Sequence, residues 1–317
     1  TNRITQSTRF NVHQSTQMRA DDEKKPRLAI SFSGGRTSAV MLKMCLDKYS
    51  DTHDIAITFA NTGCEHPDTL RFVDDVDRHF CRPMGYRVIW LEAIIHGPGK
   101  GPTARVVNYD TACRDGSVFE AAIVKHGVFN KVNPACTSRL KVSPMEEYIR
   151  RQIGWKRDTY HTAIGIRADE IDRVSGKRIE NRLVYPLADA GWRKRDVNEF
   201  MARFDWDLSL PGDHHGNCTW CWKKSKRKLM TLAKEDPSIF DFPDRMEKKH
   251  GHINKGKFTG RNVFFRENRS AQDILRLAKT ETFTPYEDDT FDQAEMFSPE
   301  WDTGSGCGES CEIGADE

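Results

Sequence analysis

Apolar positions along the chain fall into short runs that alternate with helical patterns. Residues 27–32 (RLAISF) form an apolar run ending in a Ser/Gly loop, the pattern of a buried strand. Residues 37–49 carry apolar side chains at helical spacing, Val40, Leu42, Met44 and Leu46 among them. A second apolar run, 54–60 (DIAITFA), ends in the turn-forming segment NTGCEHP. Pro67 then opens a helix to about residue 80, because proline is tolerated in a helix's first turn. Residues 86–91 (YRVIWL) predict a third strand, and 97–103 (GPGKGPT) a flexible loop suited to a lid. Further helices are expected at 117–126, 143–153 and 196–204, and further strands at 159–166 and 182–185.

Strands and helices alternating at this spacing predict parallel βαβ units. The expected fold class is α/β, an open and mostly parallel sheet flanked by helices, with a small helical, cysteine-bearing C-terminal part. The expected organisation is a polar arm (1–26), an α/β nucleotide-binding domain (27–212), a Cys-x-x-Cys and basic helical region (213–280) and an acidic tail (281–317).

Charge changes this picture. The 317 residues sum to +2, but residues 281–317 hold twelve acidic side chains and no Lys or Arg. All 49 basic residues therefore precede the tail, against 35 of the 47 acidic ones, an excess of +14. A basic body favours a polyanionic partner, nucleotide or nucleic acid. The tail is either a solvated arm or a competitor for the basic face. No apolar run approaches the ~20 residues of a membrane helix. The first 22 residues lack the apolar stretch of a signal peptide. A cytoplasmic protein without a membrane partner is expected. Nine cysteines, an odd number, argue against a complete disulfide framework.

The loop after the first strand carries candidate chemistry. Ser33, Gly34, Gly35, Arg36, Thr37 and Ser38 lie between a strand and a helix. Glycines let the backbone turn tightly and approach a ligand, and helix N–H groups make an anion site. Hydroxyls and Arg36 add donors and charge. A Gly-Gly turn can also be purely structural. In an open parallel sheet, ligands bind at the carboxyl ends of the strands, where this loop and NTGCEHP both fall.

SFSGGRTSAVML resembles the PP-loop of the adenine nucleotide alpha-hydrolase superfamily, and more narrowly that of the phosphoadenosine phosphosulfate (PAPS) reductase family. NTGCEHPDTLRFV, CTSRLKVSPMEEYI, GIRADEIDR and YPLADAGWRKRDVNEF resemble four further motifs of that family, in the same order. Many PP-loops carry aspartate before the second serine, where this chain has Thr37. The resemblance implies a pyrophosphate or phosphosulfate cradle at 33–38, with ATP or PAPS as the nucleotide and Mg²⁺ as a companion ion. It implies that Asn61 and Gly63 line the site near ribose or base. Lys141, Arg167 and Arg173 would clamp phosphate oxygens. Glu170 would orient an arginine or hold magnesium. Each of these charges is alternatively a surface ion pair.

Cys218-Thr219-Trp220-Cys221 is a Cys-x-x-Cys pair, which brings two thiolates onto one metal or cluster. The resemblance supplies Cys136 as a third ligand. The sulfurtransferases of DNA phosphorothioation, to which the pattern is also similar, imply a [4Fe–4S] cluster on such cysteines. Three protein ligands would leave one iron open to sulfide or substrate, or Cys113 or His215 closes the site; zinc in a Cys₃His arrangement is one alternative and a Cys218–Cys221 redox disulfide another. Cys45, Cys64 and Cys81 are expected within or beside core elements, with Cys64 in the second of the family-like motifs. Cys307 and Cys311 in the tail are candidates for persulfide relay or a reversible disulfide.

The basic run 222–228 (WKKSKRK) beside Trp220 and Trp222 suits phosphates and base stacking, or is a solvated helix face. Three functions remain open. One is ATP-dependent adenylylation and sulfur transfer to tRNA or DNA, with a cysteine desulfurase as sulfur source. The second is a PAPS or adenylyl-sulfate reductase served by thioredoxin, although the family's Glu-Cys-Gly-Leu-His tail motif is absent. The third is a non-enzymatic binder with structural zinc.

Overall fold

The computed structural model describes residues 25–253 and 260–288. Six strands form one sheet in the order β4-β3-β2-β1-β5-β6. They are β1 (Arg27–Ser31), β2 (Asp54–Asn61), β3 (Val88–Ile94), β4 (Thr103–Val107), β5 (His161–Ala163) and β6 (Leu183–Val184). All neighbours pair in parallel except β3 and β4. The fold is the expected open, mostly parallel α/β sheet. Strands covered on both faces need apolar side chains throughout, so β1 reads RLAIS and Ile30 is fully buried.

Helices α1 (Arg36–Tyr49) and α2 (Pro67–Val76) follow β1 and β2, and α3 (Ser117–His126) follows β4. Next come α4 (Ser143–Tyr148), α5 (Pro186–Asp189) and α6 (Lys194–Met201). The C-terminal part adds α7 (Lys226–Glu235), α8 (Asp241–His250) and α9 (Ala271–Thr280). Two large apolar clusters result. One joins β1, β2, α1 and α2 through Phe32, Leu42, Phe59 and Phe72. The other joins α3 to the C-terminal helices through Phe119, Phe129, Trp220 and Phe264. Among the described residues, no helix is long and apolar enough to cross a membrane.

Three expectations need correction. Residues 97–103 are not a lid: they make the turn of a β3–β4 hairpin whose second strand, at the sheet edge, was not foreseen. Its TARVV pattern is short and half exposed, so it lacks the apolar run of an inner strand. The helix expected to run from 67 to about 80 leaves α-geometry after Val76 and passes through a π-helical turn, Asp77–Cys81. The helix expected at 143–153 likewise lies between π-helical turns at Ser138–Val142 and Ile149–Ile153. Hydrophobic spacing does not separate i→i+4 from i→i+5 bonding.

Candidate functional site

The strand-to-helix loop is built tightly. Gly34 has φ +89, and a Cβ there would lie 2.8 Å from Thr69 Cγ2, so the position requires glycine twice over. Gly35 starts α1 in extended geometry, and no side chain caps the helix. Ser33 and Ser38 hydroxyls meet at 2.8 Å, and Ser38 Oγ donates to the Gly35 carbonyl at 3.0 Å. The helix N-terminus, with its partial positive charge, is therefore aimed at the carboxyl edge of the sheet. Ser33, Gly34 and Gly35 line a cavity of about 20 Å³ together with Thr69, Asp213 and Gly216.

Two arginines flank the loop. Arg36 donates from Nε to both carboxylate oxygens of Asp207 (2.9 and 3.0 Å) and from Nη2 to the Leu208 carbonyl (2.7 Å). Its charge is thus met by Asp207. Arg167, 8% exposed, donates to Thr37 Oγ1 at 2.9 Å and to Asp169 at 3.1 Å. Glu170 accepts from the Arg167 backbone N–H at 3.3 Å and pairs with Arg173. Arg167, Glu170 and Arg173 therefore form one network at the start of α1.

The loop after β2 is fixed from within. Asn61 is fully buried. Its amide donates to Glu92 Oε1 (2.7 Å) and the Cys113 carbonyl (2.9 Å), and its Oδ1 accepts from Gly63 N–H (3.0 Å). Gly63, at φ +83, lies so close to Cys113 that a Cβ would sit 2.6 Å from the sulfur. Glu92, also fully buried, accepts from Cys113 N–H at 2.6 Å and is paired with Arg105 at 2.6 Å. Sequence reasoning missed Glu92, since an acidic residue inside an apolar strand was the only signal.

This loop docks on the Cys-x-x-Cys turn. Glu65 and Cys218 form an antiparallel bridge, and Thr219 N–H donates to the Cys64 carbonyl at 3.2 Å. Thr62 Oγ1 is 3.4 Å from Cys218 Sγ. Cys136, Cys218 and Cys221 line one cavity of about 20 Å³ with Thr62, Lys141 and Trp222. Lys141 is buried, its Nζ 3.8 Å from Glu65. Three thiols from two distant segments, walled by apolar side chains, are a soft donor set suited to zinc or an iron–sulfur cluster.

Cys64 and Cys113 pack on the same apolar cluster as these three. Burial, then the charges of Cys218, Glu65 and Cys113, push the Cys64 thiol well above the usual range. Cys64 therefore belongs beside the thiol cavity rather than deep in a core element. Cys113 Sγ donates to Asp115 at 3.1 Å, and this bond, with those from Ser117, holds the Asp115 carboxyl down at about 2. Cys45 and Cys81 are buried in the other cluster, where burial raises both thiols to about 12. His215 points elsewhere: His214 and His215 both direct Nε2 at Glu235 Oε2, at 2.8 and 3.0 Å. The seven described cysteines are free thiols. Cys307 and Cys311 lie outside the described residues.

The basic run is largely used internally. Trp220 and Trp222 are buried at 4% and 5% exposure, which corrects the expectation that they stack bases. Trp220 instead packs on Phe119, Phe242 and Phe264. Lys224, 2% exposed, donates to the Gly216 and Cys218 carbonyls at 2.8 and 3.0 Å and so holds the cysteine turn. Lys226 pairs with Glu281 at 2.7 Å, and Arg227 and Lys228 lie over the Tyr286 ring.

Residues 27–207 match the phosphoadenosine phosphosulfate reductase domain. The uncharacterized nin region protein ORF290 of Escherichia phage lambda is 30% identical over 285 residues, 90% of this chain and 94% of the phage protein. An uncharacterized protein of Methanocaldococcus jannaschii is 27% identical over 157 residues, 49% of this chain and 26% of that protein. Among solved structures, the U34-tRNA thiolase NcsA from Methanococcus maripaludis with its [4Fe-4S] cluster aligns at 14% identity and a TM-score of 0.36. That alignment covers 82% of this chain and 75% of the thiolase.

Proposed function

Because this chain belongs to the phosphoadenosine phosphosulfate reductase family, we propose that it is a PP-loop enzyme that activates a nucleic-acid substrate with ATP and replaces the activated oxygen by sulfur. One observation carries the proposal. The Cys-x-x-Cys turn is bonded to the loop that follows β2, which places its thiols at the same carboxyl edge of the sheet as the Ser33–Ser38 loop. A structural zinc knuckle or a plain nucleotide binder has no need of that neighbourhood.

The chain's own residues divide the work. The first turn of α1 and the Ser33 and Ser38 hydroxyls receive the phosphates, and Arg167 and Arg173 add fixed positive charge nearby. A substrate oxygen attacks the α-phosphorus and expels pyrophosphate, whose negative charge the loop stabilises. Hydrosulfide, released from the persulfide of a donor such as a cysteine desulfurase by an external thiol that is oxidised to a disulfide, then attacks the adenylylated centre, and AMP leaves with the oxygen. Lys141, buried between Glu65 and the thiol cavity, supplies a positive charge on the sulfur side. Cys136, Cys218 and Cys221 would hold the [4Fe–4S] cluster, or zinc, and such a centre supplies a soft Lewis acid for binding sulfur. The basic excess of the chain before residue 281 favours a tRNA or DNA substrate.

Anaerobically purified protein tests this proposal by ATP–pyrophosphate exchange with tRNA or DNA present, together with iron, sulfide and zinc analysis. Exchange that depends on the nucleic acid, with a brown iron–sulfur spectrum lost in Cys218→Ser, supports it. Sulfite release from PAPS with thioredoxin, without exchange, replaces it by a reductase. Nucleotide binding with zinc alone and no turnover replaces it by a binder.

A further inference from the structure

A second ligand set lies just ahead of the Cys-x-x-Cys turn in the chain. His214 and His215 occupy a short 3₁₀ turn, Asp213–His215, and are 5% and 6% exposed. Both turn their Nε2 atoms onto Oε2 of Glu235, the last residue of α7, and the three ligand atoms lie within 4.8 Å of one another. Adjacent residues on a strand or helix project their side chains apart. Here the 3₁₀ turn and Gly212 bring two neighbouring imidazoles onto one carboxylate oxygen. Gly212 is needed for this packing, since a Cβ there would sit 2.6 Å from the His214 ring.

Glu235 faces imidazoles on this side, and no Lys or Arg is among its ion-pair partners in the described residues. Both imidazoles are nearly fully buried and their Nδ1 atoms have no hydrogen-bond partner among the described residues, so the Nε2 atoms and the Glu235 carboxylate are the polar groups that this cluster turns toward one another. The Glu235 side chain is 44% exposed, so the cluster is closed by histidine on the inside and open to solvent on the carboxylate side.

We propose that His214, His215 and Glu235 bind one divalent transition-metal ion, with two nitrogens and one oxygen from the protein and a remaining position open to water. The donor set is that of zinc sites with an open position, and it differs from the thiol cavity in containing no sulfur. Its place gives it a purpose. Gly216 and Asn217 line the cavity at the phosphate loop, and Cys218 follows them directly. An ion at this cluster fastens the 212–217 segment to the end of α7, and so fixes the span between the phosphate loop and the thiol cavity. The proposal does not depend on the sulfur-transfer reading.

Anaerobic titration of the full chain with Co²⁺ tests it, because thiolate ligands give cobalt an intense sulfur-to-metal charge-transfer band that histidine and carboxylate ligands do not. One equivalent showing visible d–d absorption without that band is expected, beside any thiolate-bound equivalent. In Glu235→Gln and His215→Gln, affinity for the sulfur-free equivalent falls by more than about tenfold, while the thiolate-bound equivalent is retained. A wild-type titration with only thiolate-type cobalt overturns the proposal, whatever the fate of the variants. So does a sulfur-free equivalent that both variants keep at unchanged affinity.

Discussion

The Arg167 guanidinium donates to Thr37 Oγ1 at 2.9 Å, across the start of α1. Thr37 stands where many PP-loops carry aspartate, and the neutral hydroxyl leaves Arg167 to pair with Asp169 outside the loop. The cradle therefore gains the arginine without gaining a carboxylate. Replacing Thr37 by Val keeps the shape and removes the acceptor. A hydrogen bond to a charged donor is worth about 1.5–3 kcal/mol, so Thr37→Val is expected to lose about 2 kcal/mol in urea unfolding. Nucleotide affinity, measured by calorimetry, weakens with it, and Thr37→Ser restores most of both.

Gly34 offers a sharper test of the loop. Alanine there meets left-handed strain of about 1–2 kcal/mol and collides with the Thr69 methyl group. Gly34→Ala is expected to lower stability by about 2–3 kcal/mol and to abolish ATP binding. Gly85 also has positive φ, but a Cβ there meets nothing within 4 Å. Gly85→Ala therefore loses only the strain and binds nucleotide normally.

Asp207 neutralises Arg36 at the edge of the loop, with both side chains about a third exposed. Breaking such a pair costs at most about 1 kcal/mol. Asp207→Ala removes the carboxylate that faces Arg36 at the Ser33–Ser38 loop and makes the local field more positive. Nucleotide affinity is expected to rise severalfold at low ionic strength and to return to wild type at high salt. Equal affinity at both ionic strengths would show that Arg36 does not reach the site's field.

Glu247 gives the stability a pH dependence. It is buried under α9, where its oxygens accept backbone bonds from Phe264 and Ala271, and burial raises its carboxyl from 4.5 to about 7. Between these values the folded chain keeps a proton that the unfolded chain has released. Stability therefore falls as pH rises from about 4.5 to about 7, by up to about 3 kcal/mol, and this contribution is flat outside that window. In Glu247→Gln the slope across that window disappears, although the starting stability is lower. Melting temperatures of both proteins from pH 4 to 8 measure it.

Much of this was legible from the chain. The helix at 117–126 was placed to the residue, and β1 and β2 to within one, because their apolar runs end in turn residues. The family followed from the motifs around Ser33, Asn61, Cys136 and Gly165. What escaped was long-range pairing. Cys64 sits in the turn segment after β2, and nothing in that segment shows that its surroundings are set by Cys113 and Cys218. Lys224 was counted in a basic surface run, yet it is buried against two carbonyls. A charge that serves backbone oxygens looks the same in sequence as one that serves phosphate. The His214–His215–Glu235 group was invisible for the same reason, since a loop and the far end of a helix meet only in the fold.

The bond between the loop after β2 and the Cys-x-x-Cys turn also sets an order of assembly. Thr62 and Cys218 are 156 residues apart in the chain. Contacts of such separation form late, because the intervening chain must be closed into a loop before they contribute anything. As the chain leaves the ribosome, β1, α1 and β2 can pair while the cysteine turn is still unmade. The backbone of the Ser33–Ser38 loop can thus take shape before the thiol cavity, whereas its side-chain ties to Asp207 and Arg167, 171 and 130 residues apart, close late as well. A nascent chain passes through a stage at which β1, α1 and β2 are paired and Cys136 is present without Cys218 and Cys221.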